Sequence, residues 1–190
     1  VVVPLMIAAS HDRVYRDQAV FQLRTSIDVF LDRNTGLAKT ILLKSGLGKT
    51  YWTRASGWLA WAITGVLRHL APDDAAFKGF AADLAVLAAG LARAQDASGA
   101  LRVLVNDSTT PLETSGTLMC AMAFHEAIRK RWLPDSFTPF VERAWSFVQG
   151  NITAAGDIRG IYTGWAVPAE EGKIEMDRVK MGWIPGFVLS

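Results

Sequence analysis

The chain has 190 residues, of which 51% are hydrophobic and 20% charged, and its net charge is +2. Acidic and basic residues are interspersed, and no basic stripe is interleaved with aromatic residues, so nucleic acid is not expected as a partner. No stretch approaches the ~20 apolar residues that span a bilayer, so no membrane partner is expected. The sequence does not reveal the compartment, but a cytoplasmic or periplasmic location is favoured over a membrane one.

The predicted helices begin near the N-terminus. Apolar residues at helical spacing predict a helix from Asp12 to about Leu31, followed by a turn in which Gly36 suits a positive φ. Residues 37–50 are predicted to be a loop or a short hairpin. A second helix is predicted from about Ser56 to Leu70, where a proline follows.

The second half of the chain continues the same order. Asp73 is the predicted cap of a third helix that ends near Gln95, and residues 101–105 alternate as one short strand. Thr114 or Ser115 opens a fourth helix, and a shorter fifth runs from Pro139 to Gly150. Residues 182–186 resemble the start of a further helix.

This order of helices predicts an all-α fold in a single domain over residues 1–190. Antiparallel helical hairpins form either bundles or rings, and the long loops then gather at one rim, where sites usually lie. The high apolar fraction argues that much of the surface faces other protein. Cys120 is isolated in an apolar segment and is predicted to be a small core residue.

The segment 51–58 is the most informative for function. It places two indoles and a guanidinium where a loop meets a helix, and Trp52, Arg54 and Ser56 would face one way if the segment were extended. Indoles stack on sugar C–H faces, and Arg can hold a carboxylate bidentately. The alternative is structural: Trp58 and Trp61 belong to the core, and Arg54 pairs with a surface acid.

Other candidate groups carry weaker signals. Glu113 could be a catalytic acid, but it has no nearby partner acid, so a capping role before the fourth helix is favoured. No metal or cofactor is expected, because the three histidines show no metal-ligand spacing. The lysines of the first loop could attract an anionic sugar or be merely solvated. These histidines and lysines are His11, His69, His125, Lys39, Lys44 and Lys49.

Several motifs together resemble glycoside hydrolase family 105 and its relatives of family 88, the unsaturated rhamnogalacturonyl and glucuronyl hydrolases. In chain order these are Asp32–Leu37, Tyr51–Trp58, Gln95 with a Ser-Gly turn, Glu113–Thr117 and Ala144-Trp145. The resemblance implies an (α/α)6 toroid of twelve helices, of which this chain supplies about half. The missing half would be an N-terminal segment or a second chain.

The resemblance also implies a reaction. An aspartic acid protonates the double bond of a 4,5-unsaturated uronyl residue, water adds at the neighbouring carbon, and the hemiketal collapses with loss of the aglycone. Trp52, Arg54, Ser56 and Trp58 would bind the unsaturated uronyl oligosaccharide, with Arg54 as the anion contact. The catalytic Asp would lie just before Val1, so no catalytic residue is expected in this chain.

Two departures from the family pattern stand out, and two other functions stay open. Ala55-Ser56 replaces Gly-Asn, and Ala38-Lys39-Thr40 stands where a histidine is common. One alternative is a catalytically inactive toroid remnant that acts as a sugar-binding or structural module. The other is a six-hairpin sugar epimerase, which would use histidines as acid and base.

Overall fold

The computed structural model describes residues 13–40, 42–43, 46–48 and 50–164. Within them the chain forms five α-helices, three two-stranded antiparallel ladders and one short 3₁₀ helix. The helices are α1 Arg13–Phe30, α2 Thr53–Leu67, α3 Ala75–Ala94, α4 Thr114–Arg129 and α5 Thr138–Gly150, with the 3₁₀ helix at Asp135–Phe137. The predicted helical segment near residues 182–186 lies outside the described residues.

Short strands fill the loops between helices. The strands are β1 Leu31–Asp32, β2 Leu37–Ala38, β3 Leu42–Leu43, β4 Gly46–Leu47, β5 Leu101–Arg102 and β6 Leu112–Glu113. They pair β1 with β2, β3 with β4 and β5 with β6. The predicted strand at 101–105 is therefore shorter than its alternation suggests. The predicted turn before β2 is confirmed, with Gly36 at a φ of 70°.

The core follows the predicted helical spacing. Ala19, Leu23 and Ile27 bury one side of α1, and Leu84, Leu87, Ala88 and Leu91 bury one side of α3. Cys120 is fully buried, which confirms it as a core residue. Two arginines also tie α1 and the turn after β1 to α3. The buried carboxylate of Asp83 pairs with Arg24 Nη1 at 2.6 Å and with Arg33 Nη2 at 2.7 Å.

The closest helix packing joins α2 to α4, and glycine makes it possible. A Cβ on Gly57 would lie 2.7 Å from Met119 Cβ, and a Cβ on Gly116 would lie 2.6 Å from Thr53 Cγ2. Such distances are below ordinary carbon–carbon contact, so only a hydrogen at these positions allows the two backbones to approach. The beginnings of α2 and α4 are therefore held side by side.

Two sequence predictions about helices need correction. Asp74, not Asp73, caps α3, because its side chain accepts a hydrogen bond from Ala76 N at 2.8 Å. Helix α3 is also 20 residues long, and an 18-residue window within it has a mean hydropathy of 1.5. By length and composition alone it could therefore cross a membrane, contrary to prediction. Its buried side forms part of the core of the described structure, as the core helix of a folded domain does.

Candidate sugar-binding site

Three loops converge where α2 and α4 begin. Thr53 N donates to Val103 O at 3.1 Å, Val105 N to Tyr51 O at 2.8 Å, and Thr114 N to Gly160 O at 2.7 Å. These bonds join the loop before α2, the loop before α4 and the segment after α5. The predicted gathering of long loops at one rim is thereby confirmed.

A cavity of about 370 Å³ opens beside this rim, between α1, residues 38–40 and the beginning of α2. Its wall combines indole, aliphatic and polar groups, with Lys39 as the cation among the described lining residues. No described lining residue is an Asp or Glu. The lining comprises Ala19, Gln22, Leu23, Ser26, Phe30, Ala38, Lys39, Thr40, Trp52, Ala55, Trp58, Leu59 and Ala62.

The two predicted indoles both line this cavity. Trp52 is the N-cap residue of α2, and its N–H donates to Thr40 Oγ1 at 2.9 Å. Trp58 lies in the second turn of α2 and is half-buried, with its ring 5.7 Å from that of Trp61. Both Trp58 and Trp61 also pack against the cluster containing Leu118 and Met119. Trp58 therefore serves the packing of α2 and the cavity wall at once.

Arg54 lies behind the cavity wall instead of in it. Its side chain is 3% exposed, and its guanidinium donates from Nη1 to Tyr162 O at 2.9 Å and from Nη2 to Gly164 O at 2.5 Å. The guanidinium carbon sits 4.5 Å from the centre of the Trp52 ring. Burial lowers the pKa of Arg54, while the nearby Glu113 charge opposes that shift.

Ser56 is fully buried, and its hydroxyl has no hydrogen-bond partner among the described residues. The expectation that Trp52, Arg54 and Ser56 share one side of an extended segment is wrong, because α2 begins at Thr53, three residues earlier than predicted. Helical geometry turns successive residues by about 100°, so alternate residues no longer face the same way. The substrate contacts of Arg54 and Ser56 stay predictions.

Glu113 is a buried cap at the beginning of α4. Its fully buried carboxylate accepts hydrogen bonds from Ser115 N at 3.2 Å, Gly116 N at 2.6 Å and Tyr162 N at 3.3 Å, and a short one from the Ser115 hydroxyl. Burial raises the pKa of Glu113, and the hydrogen bonds and the Arg54 charge counteract part of that effect. Its oxygens are thus committed to protein donors, which fits the favoured capping role.

Tyr162 links these two buried charges, and sequence reasoning missed it. Glu113 accepts from its N–H, Arg54 donates to its carbonyl, and its ring meets that of Trp52 edge-on at 5.9 Å. It lies 108 residues from Arg54, beyond the fifth predicted helix, where no local periodicity marks it. The motifs at 51–58 and 113–117 are joined through this residue.

The remaining predicted candidates are the lysines of the first loop and the three histidines. Lys39 Nζ lies 3.8 Å from Asp32 Oδ2, and Asp32 also accepts from the Tyr51 hydroxyl at 2.7 Å, the main reason its pKa is lowered. His69 and His125 are exposed, and within the described ranges no group of His, Cys, Asp and Glu could hold a metal ion. His11, Lys44 and Lys49 lie outside the described residues.

Comparisons with solved structures agree with this architecture. A possible GH105 member from Salmonella enterica matches with a TM-score of 0.90 at 22% identity, over 98% of this chain and 51% of that one. A family 88 glycosyl hydrolase from Bacteroides vulgatus matches with a TM-score of 0.79 at 22% identity, over 99% and 57%. An unsaturated glucuronyl hydrolase from Bacillus sp. GL1 matches with a TM-score of 0.63 at 14% identity, over 92% and 52%.

The chain thus spans about half the length of each of these proteins. The likeness confirms the predicted fold, an (α/α)6 toroid of which this chain supplies about half of the helices. No protein of curated function matches the sequence. The sequence profile of Glycosyl Hydrolase Family 88, however, matches residues 6–189, nearly the whole chain. The chain belongs to Glycosyl Hydrolase Family 88.

Proposed function

We propose that this chain forms part of the sugar site of a glycoside hydrolase that removes 4,5-unsaturated uronyl residues from the non-reducing end of lyase-generated oligosaccharides. The observation that carries this proposal is the cavity at the loop rim, onto which both Trp52 and Trp58 open. Membership of family 88 supports the hydrolase class, and the similar fold of an unsaturated glucuronyl hydrolase supports the uronyl substrate.

The cavity offers the two kinds of contact that a uronyl sugar needs. Flat indoles bury the apolar C–H face of a sugar ring, and polar groups at the edge fix its orientation. The described wall supplies both, with Trp52 and Trp58 as the aromatic groups and Gln22, Ser26 and Thr40 as polar groups. In this proposal Arg54 and Ser56 support the wall from behind.

The proposed reaction is hydration of the double bond. An acid protonates the vinyl ether, water adds at the neighbouring carbon, and the hemiketal so formed opens with release of the aglycone. A carboxyl group kept partly protonated by burial suits the first step. Glu113 is a poor candidate, because its oxygens cap α4 and bind Tyr162 N. The acid is therefore proposed to come from outside the described residues, as is the rest of the ring.

A second candidate function has one observation in its favour. Because no described residue of the cavity wall is acidic, the chain could bind a uronyl sugar without hydrolysing it. In that case the protein would be a sugar-binding or structural module built on the same toroid. The two functions differ in a single measurable property, the fate of the double bond.

The test uses the natural protein that contains this sequence and a 4,5-unsaturated uronyl disaccharide. Hydration destroys the conjugated double bond, so hydrolysis is followed as loss of its ultraviolet absorbance. We expect turnover, and we expect Trp52→Ala to reduce kcat/KM at least about tenfold, a loss of roughly 1.4 kcal/mol. Trp145→Ala is the matched control, because Trp145 lies exposed on α5, and its kcat/KM should not change.

Each other outcome has a clear meaning. Binding without loss of absorbance would reject the hydrolase and favour the sugar-binding module. If neither Trp52→Ala nor Trp145→Ala changes kcat/KM, this cavity is not part of the active site.

A further inference from the structure

The cavity wall contains one cation among its described residues, the Lys39 side chain. Resting on the proposed function, we infer that Lys39 is the residue that selects a charged uronate: its ammonium contacts the carboxylate of the sugar bound between Trp52 and Trp58. The resemblance had assigned this contact to Arg54.

The two cations, Arg54 and Lys39, lie at different places relative to the cavity. The Arg54 guanidinium is buried behind Trp52 and donates to the carbonyl oxygens of Tyr162 and Gly164. Both of its terminal nitrogens therefore already bond protein carbonyls, and Arg54 is not among the described residues that line the cavity. Lys39 lines the cavity directly, and 27% of its side chain is exposed.

The Lys39 ammonium lies near one carboxylate but is not hydrogen-bonded to it. Its distance of 3.8 Å from Asp32 Oδ2 exceeds the 2.7–3.2 Å of a hydrogen bond. Asp32 is engaged by the Tyr51 hydroxyl and by Asn34 N, at 2.7 and 3.0 Å. An ammonium has three donors, so donors remain for a ligand carboxylate. Asp32 keeps the cation near the rim without saturating it.

Hydrogen bonds and strand pairing fix the backbone that carries Lys39. Lys39 N donates to Phe30 O at 2.8 Å, and the preceding residue, Ala38, pairs with Leu31 in the β1–β2 ladder. On the other side, Thr40 Oγ1 accepts the hydrogen bond from Trp52 N. The cation and one of the two indoles are thus attached to the same short segment, which sets the distance between the charge contact and the stacking surface.

The chemistry of the ligand follows from this arrangement. A lysine ammonium is a compact charge that attracts a carboxylate but gives little to a neutral ester or a hydroxymethyl group. The site should therefore prefer a uronic acid over its methyl ester. Pairing at a partly exposed cation contributes modestly, so we expect about a two- to fivefold preference, weakened by salt.

The test measures binding and turnover separately in the natural protein. Saturation-transfer NMR gives the affinity for an unsaturated uronyl disaccharide and for its methyl ester, and the absorbance assay gives turnover. We expect the unaltered protein to prefer the acid about two- to fivefold, and Lys39→Met to bind acid and ester equally. Lys78→Met, which removes an exposed lysine on α3 outside the cavity, should keep the preference.

The outcomes separate this inference from the proposed function. If Lys39→Met keeps the preference for the acid, the role of Lys39 is overturned even if turnover is normal. If Arg54→Lys also loses that preference, the contact belongs to Arg54 instead. A preference that depends on Lys39 without any turnover would uphold the charge contact and reject the hydrolase. Failure to bind either disaccharide would overturn both.

Discussion

The two sides of the first turns of α2 differ sharply. On one side Trp52, Ala55 and Trp58 face an open cavity, and on the other Arg54 and Ser56 are buried against α4 and the segment 160–164. All five residues come from one stretch of seven. A motif rich in binding chemistry can thus divide its members between residues that contact a ligand and residues that support them.

The buried side is organised around charge. The Glu113 carboxylate and the Arg54 guanidinium hold the backbone of Tyr162 at its N–H and its carbonyl, and the Tyr162 ring braces Trp52. Buried charges are costly unless hydrogen bonds and an opposite charge compensate them. This network is therefore both the support of the cavity wall and its most sensitive point.

The largest expected effect is that of Glu113→Ala. It leaves the buried N–H groups of Ser115, Gly116 and Tyr162 without their acceptor and removes a charge that favours the charged form of Arg54. We expect a loss of about 3–5 kcal/mol in the free energy of unfolding, measured by urea titration. The control is Glu126→Ala, which breaks the partly exposed pair with Arg68 and should cost about 1 kcal/mol or less. Equal losses would refute the special role of the buried side.

The next largest effect concerns the approach of α2 to α4. In Gly116→Ala the new Cβ would lie 2.8 Å from Arg54 N and 2.6 Å from Thr53 Cγ2, so the helices must separate. We expect a cost of about 1–3 kcal/mol. Gly150→Ala is the matched control at the end of α5, where a Cβ meets nothing within 4 Å, and it should be neutral or slightly stabilising. A Gly116→Ala protein as stable as the Gly150→Ala protein would contradict the close packing.

The smallest expected effect is a pH dependence that originates at Glu113. Its pKa is raised above the ordinary value of 4.5, so the folded state binds the proton more tightly than the unfolded state does. This contribution to stability is fully present below the unfolded pKa and is lost as pH rises through the folded pKa. The stability of the unaltered protein relative to Glu113→Gln should therefore fall as pH rises from 4.5 towards neutrality. A rise would mean that Arg54 and the hydrogen bonds outweigh burial.

These predictions also mark what the sequence could and could not reveal. Helical periodicity predicted α1, α3 and α5 closely, because each buries one continuous apolar side. The beginning of α2 was misplaced, since Trp52 supplies no side-chain cap and hydrogen bonds from the distant loop 101–105 fix that end instead. Helix signals are local, whereas this boundary is set by tertiary contacts.

The candidate site was predictable in composition but not in arrangement. Trp52 and Trp58 were correctly placed at a loop rim, because indoles beside a helix beginning are visible in the sequence. The burial of Arg54 was not, since its partners Tyr162 and Gly164 lie more than 100 residues away. The exposure of Lys39 to the cavity likewise depends on how α1 and β2 pack, which no local pattern encodes.

Helix α2 is thus divided into a side that contacts the ligand and a side that supports the first. A crystal structure of the natural protein with an unsaturated uronyl disaccharide bound tests this division most directly. We expect the sugar ring to lie against Trp52 and Trp58, with its carboxylate within about 3 Å of Lys39 Nζ. Arg54 should remain bonded to the carbonyls of Tyr162 and Gly164. A carboxylate held by the Arg54 guanidinium, with those carbonyl bonds broken, would contradict this division.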